Sequence, residues 1–203
     1  VIQIKMSGFE QTTADQAPNP TKYRLKKTVV LVGMMGAGKT AVGRALAAKL
    51  GVPFLDSDHE IETAANLTVP EIFERDGEPF FRKRESEVIA RLLDEAPGIL
   101  STGGGAFLAQ VNRENISEKG VSVWLDADLD LLWNRVRHKA SRPLLRTSNP
   151  RATLAGIFKD RVPIYKLADI SVSCQPSLSI DAMANRVIQT LLSRPDVLEN
   201  NDA

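Results

Sequence analysis

An α/β fold, a five-stranded parallel sheet with helices on both faces, is what this 203-residue chain predicts. Three observations carry the prediction. Residues 28–32, 54–55, 99–101, 121–125 and 170–173 are short apolar runs of the kind that forms strands buried on both faces. Helical patterns fill the intervals between them, which is the alternation of a parallel sheet with crossover helices. The run Gly33-Met34-Met35-Gly36-Ala37-Gly38-Lys39-Thr40 then matches GxxxxGKS/T where the first strand meets the first helix.

Residues 1–20 mix Gln, Thr, Ala, Asp, Pro and Asn without periodicity and are expected to be a flexible extension, as are residues 196–203 at the other end. The domain is expected over 21–195. Its first helix, 40–50, places Val42, Leu46 and Leu50 on one face and stops at Gly51. Thr68-Val69-Pro70-Glu71 reads as a capping box opening a short helix, and 79–93 carries a second helical stripe through Phe80, Val88 and Leu92. Because these helices interrupt the strand–helix alternation, they predict a small substrate-binding subdomain. The segment 139–149, with Ser141-Arg142-Pro143-Leu144-Leu145-Arg146, is basic and punctuated by proline, as a mobile lid would be. Asn149-Pro150 begins the next helix, in which Pro163 is expected to cause a kink.

Twenty-six basic residues against 25 acidic ones leave a formal charge of +1, so composition predicts neither a nucleic-acid partner nor an anionic membrane. The single cysteine, Cys174, excludes an internal disulfide, and two histidines add no zinc constellation. At the end of the run 170–174 it reads as a core thiol. Nothing approaches the roughly 18 consecutive apolar residues of a membrane span, and no secretory leader is recognisable, so a cytoplasmic location is expected.

The glycine-rich loop allows successive backbone N–H groups and a helix N-terminus to face an anion. Gly36, Ala37, Gly38, Lys39, Thr40 and Ala41 are its phosphate-facing residues; Lys39 would neutralise β and γ oxygens, and Thr40 would ligate Mg²⁺. Asp56 and Asp58 close the second strand, where open α/β sheets bind ligands. Two neighbouring acids need separate partners, and a nucleotide-bound Mg²⁺ and a substrate hydroxyl supply them. An N-cap for the helix beginning near His59 is the structural alternative for either one. Gly103, Gly104 and Gly105 permit close approach of a polar ligand to the backbone. Arg82 and Arg161, if they converge, suit a carboxylate. Glu85 is expected to pair with Arg82 at the surface, the alternative being that it fixes that arginine for the site. His59 and His138 are expected at the surface, and Trp124 and Trp133 in packing roles.

In order along the chain, GMMGAGKT, DSD, Phe81-Arg82, TGGG, RPLL from Arg142 and RVPIY from Arg161 resemble the shikimate kinase family, within the nucleoside-monophosphate-kinase-like P-loop group. The resemblance implies ATP-dependent phosphorylation of the 3-hydroxyl of shikimate, giving shikimate 3-phosphate and ADP in aromatic amino-acid biosynthesis. It implies that Lys39 and the loop hold ATP, and that Thr40 and Asp56 serve one Mg²⁺ per subunit, Asp56 through water. Asp58, Arg82, Gly104 and Arg161 would bind shikimate in a pocket shaped by Gly103 and Gly105. Arg142 would reach the transferring phosphate, and Arg135 would stack on adenine, with Arg137 the alternative. A monomer is expected. Another small-molecule kinase, such as a gluconate kinase, is the nearest rival, and the paired arginines favour shikimate over it.

Overall fold

The computed structural model describes residues 22–138 and 143–201, so Arg142 lies outside the described residues. Seven strands are present among them: β1 (Tyr23–Leu25), β2 (Thr28–Val32), β3 (Phe54–Asp56), β4 (Ile99–Ser101), β5 (Gly120–Asp126), β6 (Ile170–Ser173) and β7 (Leu198–Asn200). The helices are α1 (Lys39–Leu50), α2 (Ser57–Ala65), α3 (Val69–Asp76), α4 (Glu78–Leu93), α5 (Gln110–Lys119), α6 (Leu129–Val136), α7 (Pro150–Tyr165) and α8 (Ile180–Leu191).

The main sheet is parallel and ordered β3-β4-β2-β5-β6. Its central strand, β2, is buried at every position, which explains why it reads as an unbroken aliphatic run without alternation. The chain builds one side of the sheet through β3 and β4 and the other through β5 and β6. The switch falls beside β2, and a crevice opens there at the carboxyl ends of the strands. Residues such as Val30, Leu31, Leu46, Ile99, Leu100, Leu132 and Leu154 fill the core between sheet and helices.

Local signals set most of the element boundaries. Gly38 and Gly51 flank α1 in left-handed conformation, with φ of 97° and 65°. Thr68 and Glu71 form the reciprocal capping box of α3, and Asn149 caps α7 by accepting from the Ala152 N–H. A second small core, Ile61, Ile72 and Phe81 with Leu67, Val69 and Phe73 against it, unites α2, α3 and α4. Helix α7 continues through Pro163 to Tyr165. The proline removes the N–H that would reach the Lys159 carbonyl, and only two helical residues follow it.

The end of the chain departs from the expected tail over 196–203. Val197 and Leu198 are buried, and β7 pairs antiparallel with β1, Leu198 opposite Leu25. Composition does not reveal this pairing, because the two strands are short and join opposite ends of the sequence. Among the described residues, no helix is long and apolar enough to cross a membrane.

Candidate active site

The loop between β2 and α1 closes over a cavity of about 450 Å³ whose lining includes Gly36, Ala37, Gly38, Lys39, Thr40 and Ala41. Gly38 ends the loop at φ +97°, a conformation that a residue with a Cβ rarely adopts, and α1 starts directly after it. The free N–H groups of that first turn therefore face the cavity. Lys39 is buried, and its ammonium folds back to donate to the carbonyls of Gly33 at 2.7 Å and Met34 at 3.1 Å.

Asp56 fulfils both roles that its position suggests. Its Oδ1 caps α2 by accepting from the N–H groups of Asp58 and His59, while Oδ2 accepts from the Thr40 hydroxyl at 3.2 Å. The Thr40 hydroxyl also lies 3.4 Å from Ser101 Oγ. A hydroxyl and a carboxylate oxygen side by side at the phosphate loop suit Mg²⁺, a hard cation that takes few protein oxygens and completes its shell with phosphate and water. The protein donor set therefore fits the ion.

Asp58, two residues further on, lines the same cavity. Burial is the main cause lifting its carboxyl to about 6, with the Asp56 charge adding and Lys39 and Arg82 opposing. Its Oδ1 is buried without a hydrogen-bond partner among the described residues.

Around Asp58 the predicted acceptor residues converge. A Cβ built on Gly103 would lie 2.8 Å from Asp58 Oδ1 and 3.0 Å from Glu85 Oε1. On Gly105 it would lie 2.5–2.6 Å from the guanidinium atoms of Arg82, which rests directly against that backbone. Phe73 and Phe81 back the same guanidinium, with ring centroids 6.0 and 5.3 Å away. Arg161 and Tyr165, on one face of α7, both donate to the carbonyl of Gly104. Thr102 ties the glycine run to the central strand through Leu31.

Three placements differ from the sequence reading or escaped it. Glu85, expected at the surface, is fully buried and holds Arg82 Nη1 at 2.8 Å. The charged string Arg82-Lys83-Arg84-Glu85 disguises this, since only one face of α4 turns toward α2 and the glycine run. Tyr165, fully buried, carries no signal in the sequence beyond its place at the end of RVPIY. The third is the cavity wall after β6, formed by Cys174, Gln175, Leu178, Ser179 and Met183. Its only sequence signal was position, a loop at the carboxyl end of a parallel strand. Burial pushes the Cys174 thiol up to about 11, so it stays protonated and packs as expected. Arg135 lines the cavity and donates to the carbonyls of Gly36 and Ala37 at 3.3 and 3.1 Å, whereas Arg137 is exposed. His59 and His138 are exposed, and Trp124 is buried.

A sheet of this order, with a GxxxxGKT cradle and a separate polar cluster facing it, defines a P-loop kinase of small molecules. A family model described as shikimate kinase matches residues 35–192. A shikimate kinase of Ruegeria pomeroyi is 69% identical over 175 residues, covering 86% of this chain and 90% of the relative. One from Cereibacter sphaeroides is 64% identical, covering 88% and 89%. Among solved structures, shikimate kinase from Acinetobacter baumannii in complex with shikimate superposes with a TM-score of 0.77 at 40% identity, over 82% of this chain and 93% of that one. A Sinorhizobium meliloti gluconokinase, 17% identical with a TM-score of 0.55 over 84% of this chain and 94% of that one, shares the fold alone. The chain belongs to the shikimate kinase family and is a phosphotransferase.

Proposed function

We propose that this chain transfers the γ-phosphoryl group of ATP to the 3-hydroxyl of shikimate, releasing ADP and shikimate 3-phosphate for aromatic amino-acid biosynthesis. The observation that carries the reading is the position of Asp58. It lines the phosphate-loop cavity and, on its other side, faces the Gly103 backbone beside Arg82 and Glu85. A hydroxyl bound to it would sit between the phosphate cradle and the acceptor cluster.

Each residue then has a task in a transfer that needs alignment and charge neutralisation more than a strong base. Lys39 exchanges its carbonyl partners for β and γ oxygens, while the loop N–H groups hold the phosphates. Thr40 and Asp56 would hold Mg²⁺, which when bound would neutralise phosphate charge. Asp58 orients the 3-hydroxyl and accepts its proton as the new P–O bond forms and the bond to ADP breaks. Arg82 and Arg161 grip the substrate carboxylate, and the Gly104 backbone, steadied by Arg161 and Tyr165, meets the ring. Arg135 and the wall after β6 flank adenine; its cavity-lining position supports Arg135 over Arg137 for this role. The role of Arg142 at the transferring phosphate rests on the family resemblance. The proposed working unit is a monomer.

A coupled ADP-release assay with Mg–ATP, run with and without shikimate, tests the reading. ADP release is expected only when shikimate is present; equal release without it would indicate a nucleotide hydrolase and reject the proposal. A narrower expectation concerns Gly105. Its φ of −94° and ψ of −15° suit alanine, so Gly105→Ala strains no backbone and acts only by pushing the Arg82 guanidinium aside. Displacements near 1 Å can cost on the order of 10²-fold in rate. Steady-state kinetics should show the shikimate KM rising about tenfold or more, with the ATP KM little changed. Equal changes in both would place Arg82 outside the acceptor site.

A further inference from the structure

Helix α4 carries a buried carboxyl group to which the transfer just described assigns no task. Glu85 is 0% exposed, one turn beyond Arg82. Its Oε2 accepts from Arg82 Nη1, but Oε1 has no hydrogen-bond partner among the described residues. That oxygen does not point into an apolar core. It lies about the Gly103 backbone together with the equally unpartnered Asp58 Oδ1, each near the position a Cβ there would occupy. Arg82 is also shared, because its Nε and Nη2 both donate to Glu78 Oε1 at 3.1 Å.

One guanidinium thus serves two carboxyl groups before any ligand arrives, and a substrate carboxylate shared between Arg82 and Arg161 would bring three anions against two guanidinium cations. Glu78 is largely exposed and screened by water, but Glu85 is not, so its charge bears most heavily on an incoming carboxylate. The least costly relief is to neutralise Glu85. We propose that Glu85 takes up a proton when the substrate carboxylate binds Arg82, so that acceptor binding is coupled to protonation of this buried side chain.

The inference rests on the reading that the shikimate carboxylate binds at Arg82. The charged groups facing Glu85 are Arg82 and Glu78 on α4 and Asp58 on α2. Burial, the largest influence, lifts its carboxyl to about 7 against the pull of Arg82, while Asp58 and Glu78 reinforce the rise. A modest added repulsion therefore suffices to load the proton near neutral pH. Once protonated, Glu85 leaves Arg82 to the substrate, and its Oε1–H is aimed at the side where Asp58 must remain a carboxylate to receive the hydroxyl proton. Glu85 is in this sense a positioning residue.

Isothermal titration of the whole protein with shikimate, without nucleotide, tests this in buffers of differing ionisation enthalpy. Near pH 6 Glu85 is already largely protonated, so little uptake by it is expected there, and below that pH it is Asp58 that titrates. Above about pH 7 binding should draw up to one proton per shikimate, and the affinity should fall by up to about tenfold per pH unit. Glu85→Gln should still bind shikimate, but without uptake and without that fall. No proton uptake by the wild type above pH 7, or undiminished uptake in Glu85→Gln, overturns the proposal. Arg82→Lys separates the two readings: if it leaves shikimate affinity unchanged, the carboxylate assignment itself fails, whatever Glu85 does.

Discussion

Lys39→Ala is expected to lower turnover on the order of 10³-fold while the circular-dichroism spectrum and the unfolding midpoint remain close to those of the wild type. The lysine is the buried cation of the phosphate cradle, and its reach to the Gly33 and Met34 carbonyls shows the ammonium held inside the loop. Phosphoryl transfer spreads charge over the equatorial oxygens, so a fixed cation there is worth more in the transition state than in the ground state. Shape, by contrast, comes from backbone: left-handed Gly36 and Gly38, and the α1 hydrogen bond from the Val42 N–H to the Gly38 carbonyl. Turnover within about twofold of wild type, the scale of an exposed substitution, would sink the phosphate-loop assignment.

Asp58→Asn should lower kcat by about 10²- to 10⁴-fold, the usual range for removing a general base, while Mg–ATP binding stays nearly unchanged. The amide keeps the shape of the side chain but cannot accept the hydroxyl proton. Asp56→Asn, two residues earlier, should instead raise the Mg²⁺ concentration needed for half-maximal rate, because the neutral oxygen beside the Thr40 hydroxyl holds the ion's water less strongly. Measuring rate against Mg²⁺ and against shikimate for both variants distinguishes them. Interchangeable effects would show that the two carboxylates do not divide the work as proposed.

The features legible in the sequence are those whose causes lie within a few residues. An aliphatic run announces β2, the Thr68–Glu71 capping box announces α3, and eight consecutive residues contain the phosphate loop with its left-handed glycines. The order of motifs along the chain then pointed to the family, and the family model and relatives bear it out. Less legible was anything created when distant segments meet. Residues 23–25 and 198–200 pair although neither segment has a strand pattern long enough to read, and the residues after 195 looked like a tail. The wall formed by Gln175, Ser179 and Met183 has no motif because its contribution is shape.

The sequence alone determined the parallel α/β class, the phosphate cradle and the family, since apolar periodicity, capping and loop conformation act over short stretches of chain. Only the tertiary structure decided that Glu85 is buried rather than solvated, that Arg82 rests flat on Gly105, and that Asp56 both caps α2 and faces Thr40. These depend on which surfaces are pressed together and how much water is excluded between them. Burial and the charges that cross from one element to another set the ionisation of a carboxyl group, and neither is a property of the residues adjacent to it in the chain.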